Sequence, residues 1–329
     1  MDIKIEKDAS DQRFDRFLRK WFKKYPQVRL ADIYSTIRKG LIKVNGKKVQ
    51  EQYRLKEGDV VYIHDNVQMG TEDVSLLVGQ KERKLEKVDI QKIKEQILYE
   101  DSHWIVFDKP AGIAMHPGNK HRNDLSMNDY LEKYAASYAT DTFTPSFGYR
   151  LDKDTSGVLI GAKSYESLQY INSIIRERDI DKYYLTIVLG IFPKYLMIDK
   201  PLTKSYDKKF DRSHVKIDFR EGLEAKTECW LEKSFFHPLL GKLSLVKVKI
   251  HTGRMHQIRV HLSHVGYPVL GDIVYGNPVF NRLLYKSLRI NRQLLHCRKY
   301  SFFDMFAATN VAFESPLPSD FVAIMSSKK

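Results

Sequence analysis

Phe14, Phe17, Leu18, Trp21 and Phe22 recur at spacings of three and four inside the run R-F-D-R-F-L-R-K-W-F. That is the period of one helical face. Arg13, Arg16, Arg19, Lys20, Lys23 and Lys24 take the remaining positions, so the predicted helix is apolar on one side and basic on the other. Asp11 stands where it can cap that helix. A second helix is predicted from Ala31 to Lys39, with Ile33 and Ile37 inward and Gly40 as its stop. The run L-I-K-V-N-G-K-K-V reads as a hairpin, because Asn45-Gly46 supplies the positive φ angles of a tight turn. A further turn at Glu57-Gly58-Asp59 leads into the strand V-V-Y-I-H. Residues 66–96 are polar and poor in aromatics, which predicts a linker with one helix inside it. From Ile97 onward, short β-rich runs alternate with helices. The pattern therefore divides the chain into a small basic unit over 1–65, a linker over 66–96 and a larger unit over 97–329.

Charge changes this picture most. The formal net charge is +14, and such a surplus attracts polyanions, either nucleic acid or a membrane surface. A basic protein from a lysine-rich proteome would show the same surplus. Hydrophobic residues at 43% are enough for packed cores, which excludes global disorder. The two cysteines, Cys229 and Cys297, form no C-x-x-C arrangement, which excludes a disulfide framework and a zinc ribbon and fits a reducing compartment. The start M-D-I-K-I-E-K-D has no apolar stretch of a signal peptide, and no apolar run reaches the roughly 20 residues that span a bilayer. A cytoplasmic protein with no membrane partner is expected. The final Ser-Ser-Lys-Lys is expected to be a loose tail.

Three segments carry candidate chemistry. In G-Y-R-L-D-K-D-T-S-G-V-L-I-G-A-K, Gly157 opens a buried-strand run, and D-K-D-T-S reads as a polar loop whose residues bond their own backbone and so hold Asp152 and Asp154. Ser164 is placed to cap a helix carrying Leu168, Ile171 and Ile175, and D-K-Y-Y-L-T-I-V-L-G then reads as a strand. A carboxylate at such a strand edge serves as nucleophile, general base, metal ligand or plain turn residue; spacing alone does not choose. The second segment, H-T-G-R-M-H-Q-I-R-V-H-L-S-H, holds four histidines at 251, 256, 261 and 264. Spacings of five do not stack on one helical face, so no metal site is assigned. Arg254 and Arg259 are more telling, because an arginine in an apolar setting requires a carboxylate or phosphate partner. Asp152 is one such partner and a phosphate the other. The third segment, F-D-K-P-A-G-I-A-M-H-P-G-N, is loop grammar by itself: a Lys109-Pro110-Ala111-Gly112 turn and a His116-Pro117-Gly118 break.

In this order the three segments resemble the RluA-type RNA pseudouridine synthases, whose pattern joins a K-P-A-G turn, an H-R-L-D-x-x-T-S-G loop, a K-x-Y strand and H-Q-I-R followed by G-x-P-x-x-G-D-x-x-Y-G. The resemblance covers residues from Ile97 to the C-terminus. R-F-D-R-F-L, I-R-K-G-L-I-K-V-N-G-K and K-E-G-D-V-V likewise resemble the small RNA-binding domain named after ribosomal protein S-four. The resemblance implies an α+β catalytic fold with a mixed, largely antiparallel sheet and flanking helices, beside a small α+β RNA-binding domain. It implies Asp152 as the essential carboxylate, Tyr184 beside the target base and Arg259 paired with Asp152. Arg150 would enter the RNA where the uridine leaves its stack. Arg13, Arg16, Arg19, Lys20, Lys43, Lys47 and Arg254 are the further RNA contacts expected from charge. The chain departs from the pattern at Tyr149, where the family has histidine. The implied activity is an isomerase that converts uridine to pseudouridine without cofactor or metal. Relatives with this two-domain layout act mostly on large-subunit (23S) ribosomal RNA, so the resemblance implies that substrate. Transfer RNA, a non-catalytic ribosome-assembly role and histidine-based metal hydrolysis are the alternatives. Nothing in the sequence requires a protein partner or more than a monomer.

Overall fold

The computed structural model describes residues 1–22, 25, 28, 30–64, 67, 89–116, 124–140, 143–207 and 212–326. Lys23, Lys24, Pro117-Gly118, most of the expected linker and the last three residues of the expected tail lie outside the described residues.

The N-terminal part builds its own core. Strand β1 (Asp2–Lys4), helix α1 (Phe14–Trp21), helix α2 (Leu30–Lys39), β2 (Ile42–Val44) and β3 (Val60–Ile63) surround Phe14, Phe17, Leu18, Trp21, Phe22, Ile33 and Ile37, all buried as the apolar spacing predicts. Two local expectations are corrected. Asp11 does not cap α1: it adopts a left-handed conformation (φ 60°) and its carboxylate meets Arg54 at 2.8 Å. The amides of Phe14 and Asp15 instead donate to the carbonyls of Tyr53 and Glu51, so a neighbouring loop supplies the cap. The Asn45-Gly46 turn forms with φ of 49° and 72°, but its return arm makes only one bridge, Val44 to Lys47. The ladder partner of β2 is β3, because the Asn45 side chain donates to Asp59 and accepts from the Val60 amide, locking the turn onto that strand.

The larger part begins with helix α3 (Ile90–Lys94), whose Ile93 is buried in the main core. The strands that follow are β4 (Ile97–Glu100) and β5 (Trp104–Lys109), then, beyond helix α4 (Met127–Tyr134), β6 (Ser146–Phe147) and β7 (Ser156–Ala162). Helix α5 (Tyr165–Glu177) leads to β8 (Asp181–Leu189), β9 (Tyr195–Asp199), β10 (Leu202–Asp207), β11 (Arg212–Ile217), β12 (Lys226–His237) and β13 (Gly241–Ile250). Helices α6 (Gln257–His264) and α7 (Pro278–Leu288), strands β14 (Leu295–Asp304) and β15 (Thr309–Glu314), and helix α8 (Ser319–Ser326) complete it. One sheet runs β4-β5-β7-β14-β8-β13-β12-β9, with β6 on β7 and β15 on β14; β10 and β11 form a separate hairpin. All its pairings are antiparallel except β7 with β14. Every residue of β7 is buried, as the run after Gly157 predicts. A β-carbon at Gly157 would lie 2.1 Å from the Cys297 carbonyl oxygen, and φ there is +111°; the parallel junction closes only on glycine. Ser164 caps α5 in a capping box, as expected.

Candidate active site

The loop before β7 carries Asp152, and cations from elsewhere hold it. Lys109, at the end of β5, is fully buried and donates to the carbonyls of Pro110, Lys153 and Thr155 at 2.9, 2.8 and 2.9 Å. Arg292 Nη1 reaches the Asp154 carbonyl at 3.1 Å. This changes the expectation that the D-K-D-T-S side chains brace themselves: the bracing falls on backbone carbonyls, because each ammonium hydrogen of Lys109 finds one of them. Burial pushes the Lys109 pKa down to about 7, against the pull of Asp154 and Asp152. Lys109→Met takes the ammonium from all three carbonyls and leaves that of Thr155 buried without it, while the Lys153 carbonyl keeps the Gly112 amide. It is expected to destabilise the protein by roughly 2–5 kcal/mol, read as a lowered midpoint in urea.

Arg259 sits in the first turn of α6 and joins two carboxylates. Its Nε and Nη2 bond Asp272 at 2.6 and 2.9 Å, while Nη1 bonds Asp152 Oδ2 at 2.9 Å. Burial alone would raise Asp272, but the Arg259 fork and the Tyr275 and Val274 amides outweigh it and hold that carboxyl below its usual value. His256, immediately before α6, is left-handed (φ 54°) and brings Nε2 to 3.8 Å from Asp152 Oδ2. Its Nδ1 lies 2.9 Å from the Tyr275 hydroxyl, which accepts from the Val215 amide. Burial lowers the His256 pKa, against the pull of Asp152, and so favours the neutral ring.

Tyr184 on β8 is 5% exposed and lines the same space. Tyr300 and Cys297 are the groups that act on its hydroxyl. Burial pushes all three of these groups upward in pKa, so Tyr184 keeps its proton. The tuning runs opposite to what a proton acceptor needs. Tyr149 stacks on Tyr300 at 4.5 Å, donates to the Val158 carbonyl and accepts from the Ile160 amide, both at 3.1 Å. The departure at 149 is thus a brace between β7 and the wall behind Tyr184. Tyr149→Phe strands a buried donor and a buried acceptor and is expected to cost about 2–4 kcal/mol in thermal or urea denaturation.

Asp152, Arg259, Tyr184, Arg150 and Arg254 come together around one cavity of about 300 Å³. Arg150 is exposed at its rim, and Arg254 Nε is tied to the Glu224 carbonyl at 3.0 Å. Arg16 and Lys20 line a different cleft, Arg13 is in a two-pronged bond with Asp15, and Arg19, Lys43 and Lys47 lie on other parts of the N-terminal unit. The four histidines go to separate places: His251 to Glu228, His256 to Tyr275, His261 to Thr227 and the Lys200 carbonyl, and His264 to the surface. Among the described residues no three His, Cys, Asp or Glu side chains group to hold a metal, and no helix is long and apolar enough to cross a membrane. Sequence reasoning missed Lys109, Asp272 and His256 as parts of this site. Asp272 carried a usable signal, the G-D of the motif after H-Q-I-R.

A sequence profile described as RNA pseudouridylate synthase matches residues 103–264, and one described as S4 domain matches residues 12–61. Ribosomal large subunit pseudouridine synthase C of Buchnera aphidicola subsp. Baizongia pistaciae is 32% identical over 98% of this chain and 96% of its own length. The chain belongs to the RNA pseudouridylate synthase family. Ribosomal large subunit pseudouridine synthase D of Pseudomonas aeruginosa is 31% identical over 97% of this chain and 92% of its own. The solved structure of human RNA pseudouridylate synthase domain containing 4 shares the fold, with a TM-score of 0.56 at 22% identity over 76% of this chain and 96% of that one. The synthase is therefore an isomerase acting on RNA, with an α+β fold and an S4 domain ahead of its catalytic sheet.

Proposed function

We propose that the synthase isomerises uridines of large-subunit ribosomal RNA in the cytoplasm, with Asp152 as its catalytic carboxylate. The observation that carries this reading is the Arg259–Asp152 bond of 2.9 Å at the edge of a cavity that Tyr184 also lines. The relatives named for the large ribosomal subunit support the choice of RNA. The reading takes the synthase to act as a monomer without a cofactor.

The reaction breaks the bond between uracil N1 and the sugar, turns the ring and rejoins the sugar to C5. The C5 hydrogen leaves as a proton and N1 gains one, so atoms balance. A cavity of about 300 Å³ lies at the small end of ligand pockets, which run from about 300 to 1,000 Å³. It suits one nucleotide taken out of its stack, at a cost on the order of a few kcal/mol. Arg150 at the rim is placed to fill the vacated space and offset part of that cost. Both contacts of Asp152 fall on Oδ2, leaving Oδ1 for the sugar or the ring, and the side chain is 22% exposed. Tyr184 serves as a flat wall that keeps its proton, and Arg259 fixes the carboxylate for attack.

Because C5 loses its hydrogen, RNA carrying tritium at uracil C5 reports the reaction directly. Unmodified large-subunit ribosomal RNA is expected to release tritium on incubation with the enzyme, and transfer RNA is not. Release from transfer RNA alone would move the substrate; release from neither would remove the reading.

A further inference from the structure

Helix α1 buries Phe14, Phe17, Leu18 and Trp21 in its own core, which turns Arg16 and Lys20 to the opposite side. Helix α5 of the catalytic part buries Ile171 and Ile174, and its Tyr165, Gln169, Asn172, Ser173 and Arg176 recur at spacings that share a face. These two polar faces line one cleft of about 1010 Å³, some three times the volume of the Asp152 cavity. Five cations, Arg13, Arg16, Lys20, Arg54 and Arg176, line it with two carboxylates, Asp11 and Glu166; Arg13 is also held by Asp15 at 3.0 Å and Arg176 by Glu177 at 3.4 Å. Both carboxylates are engaged, Asp11 with Arg54 at 2.8 Å and Glu166 with Lys7 at 2.7 Å. Lys20 Nζ stands 5.8 Å from the centre of the half-buried Tyr165 ring.

The cleft adjoins the active cavity. Arg176 lines the cleft and Ile175 the cavity; Ser146 lines the cleft and Gly148 the cavity. Two separate chain segments therefore wall both spaces, with the paired residues no more than about 7 Å apart. Positive charge along a groove with an aromatic ring in its wall is the chemistry that holds a nucleic-acid strand: phosphates on cations, a base on the ring.

We propose that the RNA strand flanking the target uridine leaves the Asp152 cavity past α5 and lies in this cleft, with phosphates on Arg16, Lys20 and Arg176 and a base against Tyr165. The cleft would then select uridines by their neighbours while the cavity performs the chemistry. The inference rests on the cavity being the uridine site.

Asn172 lines the cleft, and both native cysteines are buried, so Asn172→Cys gives one accessible thiol for a tethered iron–EDTA group. Hydroxyl-radical cuts are expected in a short stretch on one side of the modified uridine. An Arg16→Ala/Arg176→Ala double variant, with both changes at exposed positions, is expected to melt like the wild type. Its affinity for ribosomal RNA should fall roughly 10-fold or more, and the slope of log affinity against log salt should flatten by about 1.5–2. No cuts, cuts scattered away from the modified uridine, or an unchanged salt slope would overturn the proposal. Clustered cuts without tritium release from any RNA would overturn the uridine reading, and with it the path between the two spaces, while leaving the cleft as an RNA site. Tritium release without cuts would overturn the cleft alone.

Discussion

An Asp152→Asn variant is expected to lose at least about 10⁴-fold in single-turnover isomerisation while still binding RNA. The amide keeps the size of the side chain and one oxygen for Arg259, so geometry survives and only the charge and nucleophilicity are lost. The fold should tolerate the change. Arg259 retains its fork on Asp272, so the guanidinium is not left as an unpaired buried charge. The melting temperature should move by a few degrees at most, and the dissociation constant by less than about threefold, because Arg150 and the N-terminal cations are untouched. A variant that isomerises within tenfold of the wild type would remove Asp152 from the chemistry.

Asp272→Ala is expected to have the largest effect on stability. Asp272 is fully buried, Arg259 is 4% exposed, and the carboxylate also accepts from the Val274 and Tyr275 amides. Removing it takes two of the three bonds from a buried guanidinium and leaves two amides without their acceptor, a loss of about 3–5 kcal/mol in urea denaturation. Isomerisation should fall as well, since nothing then fixes the Arg259 fork against Asp152. The pH dependence has a definite sign. In the folded state Asp272 lies below its ordinary value of 3.8, burial being outweighed by Arg259, so the unfolded chain takes up the proton first. The stability it contributes is therefore whole above pH 3.8 and is lost as pH falls through the folded value. The gap between wild type and variant should stay constant near neutrality and narrow only below pH 3.8. A gap under about 1 kcal/mol at pH 7 would mean that the Arg259–Asp272 pair is not a structural pin.

Apolar periodicity made the elements legible. The face of α1, the all-buried β7 and the Ser164 cap follow from spacing and from one or two polar side chains. The failures share a cause. Asp11 had the chemistry of a cap, yet the amides of α1 were taken by carbonyls of residues 51 and 53, some forty positions away. The K-P-A-G turn looked like punctuation, yet Lys109 braces a loop some forty residues further along the chain. Such partners come from the topology, which local patterns do not contain. Asp152, Tyr184 and Arg259 stood out through their motifs, the first with Tyr149 in place of histidine, and the fold brings the three to one cavity. The split of the basic residues was not legible, because net charge does not say which cations face a cleft and which face open solvent. Tyr149 shows the same limit: a motif flags the departure, and only its bonds to Val158 and Ile160 say what the phenol does.

The most direct test of the central claim incubates the wild type and an Asp152→Ala variant with unmodified large-subunit ribosomal RNA, then maps pseudouridine by carbodiimide treatment and primer extension. The account predicts discrete new stops with the wild type and none with the variant. Stops that persist in the variant, or none with the wild type despite salt-sensitive binding by both proteins, would contradict it.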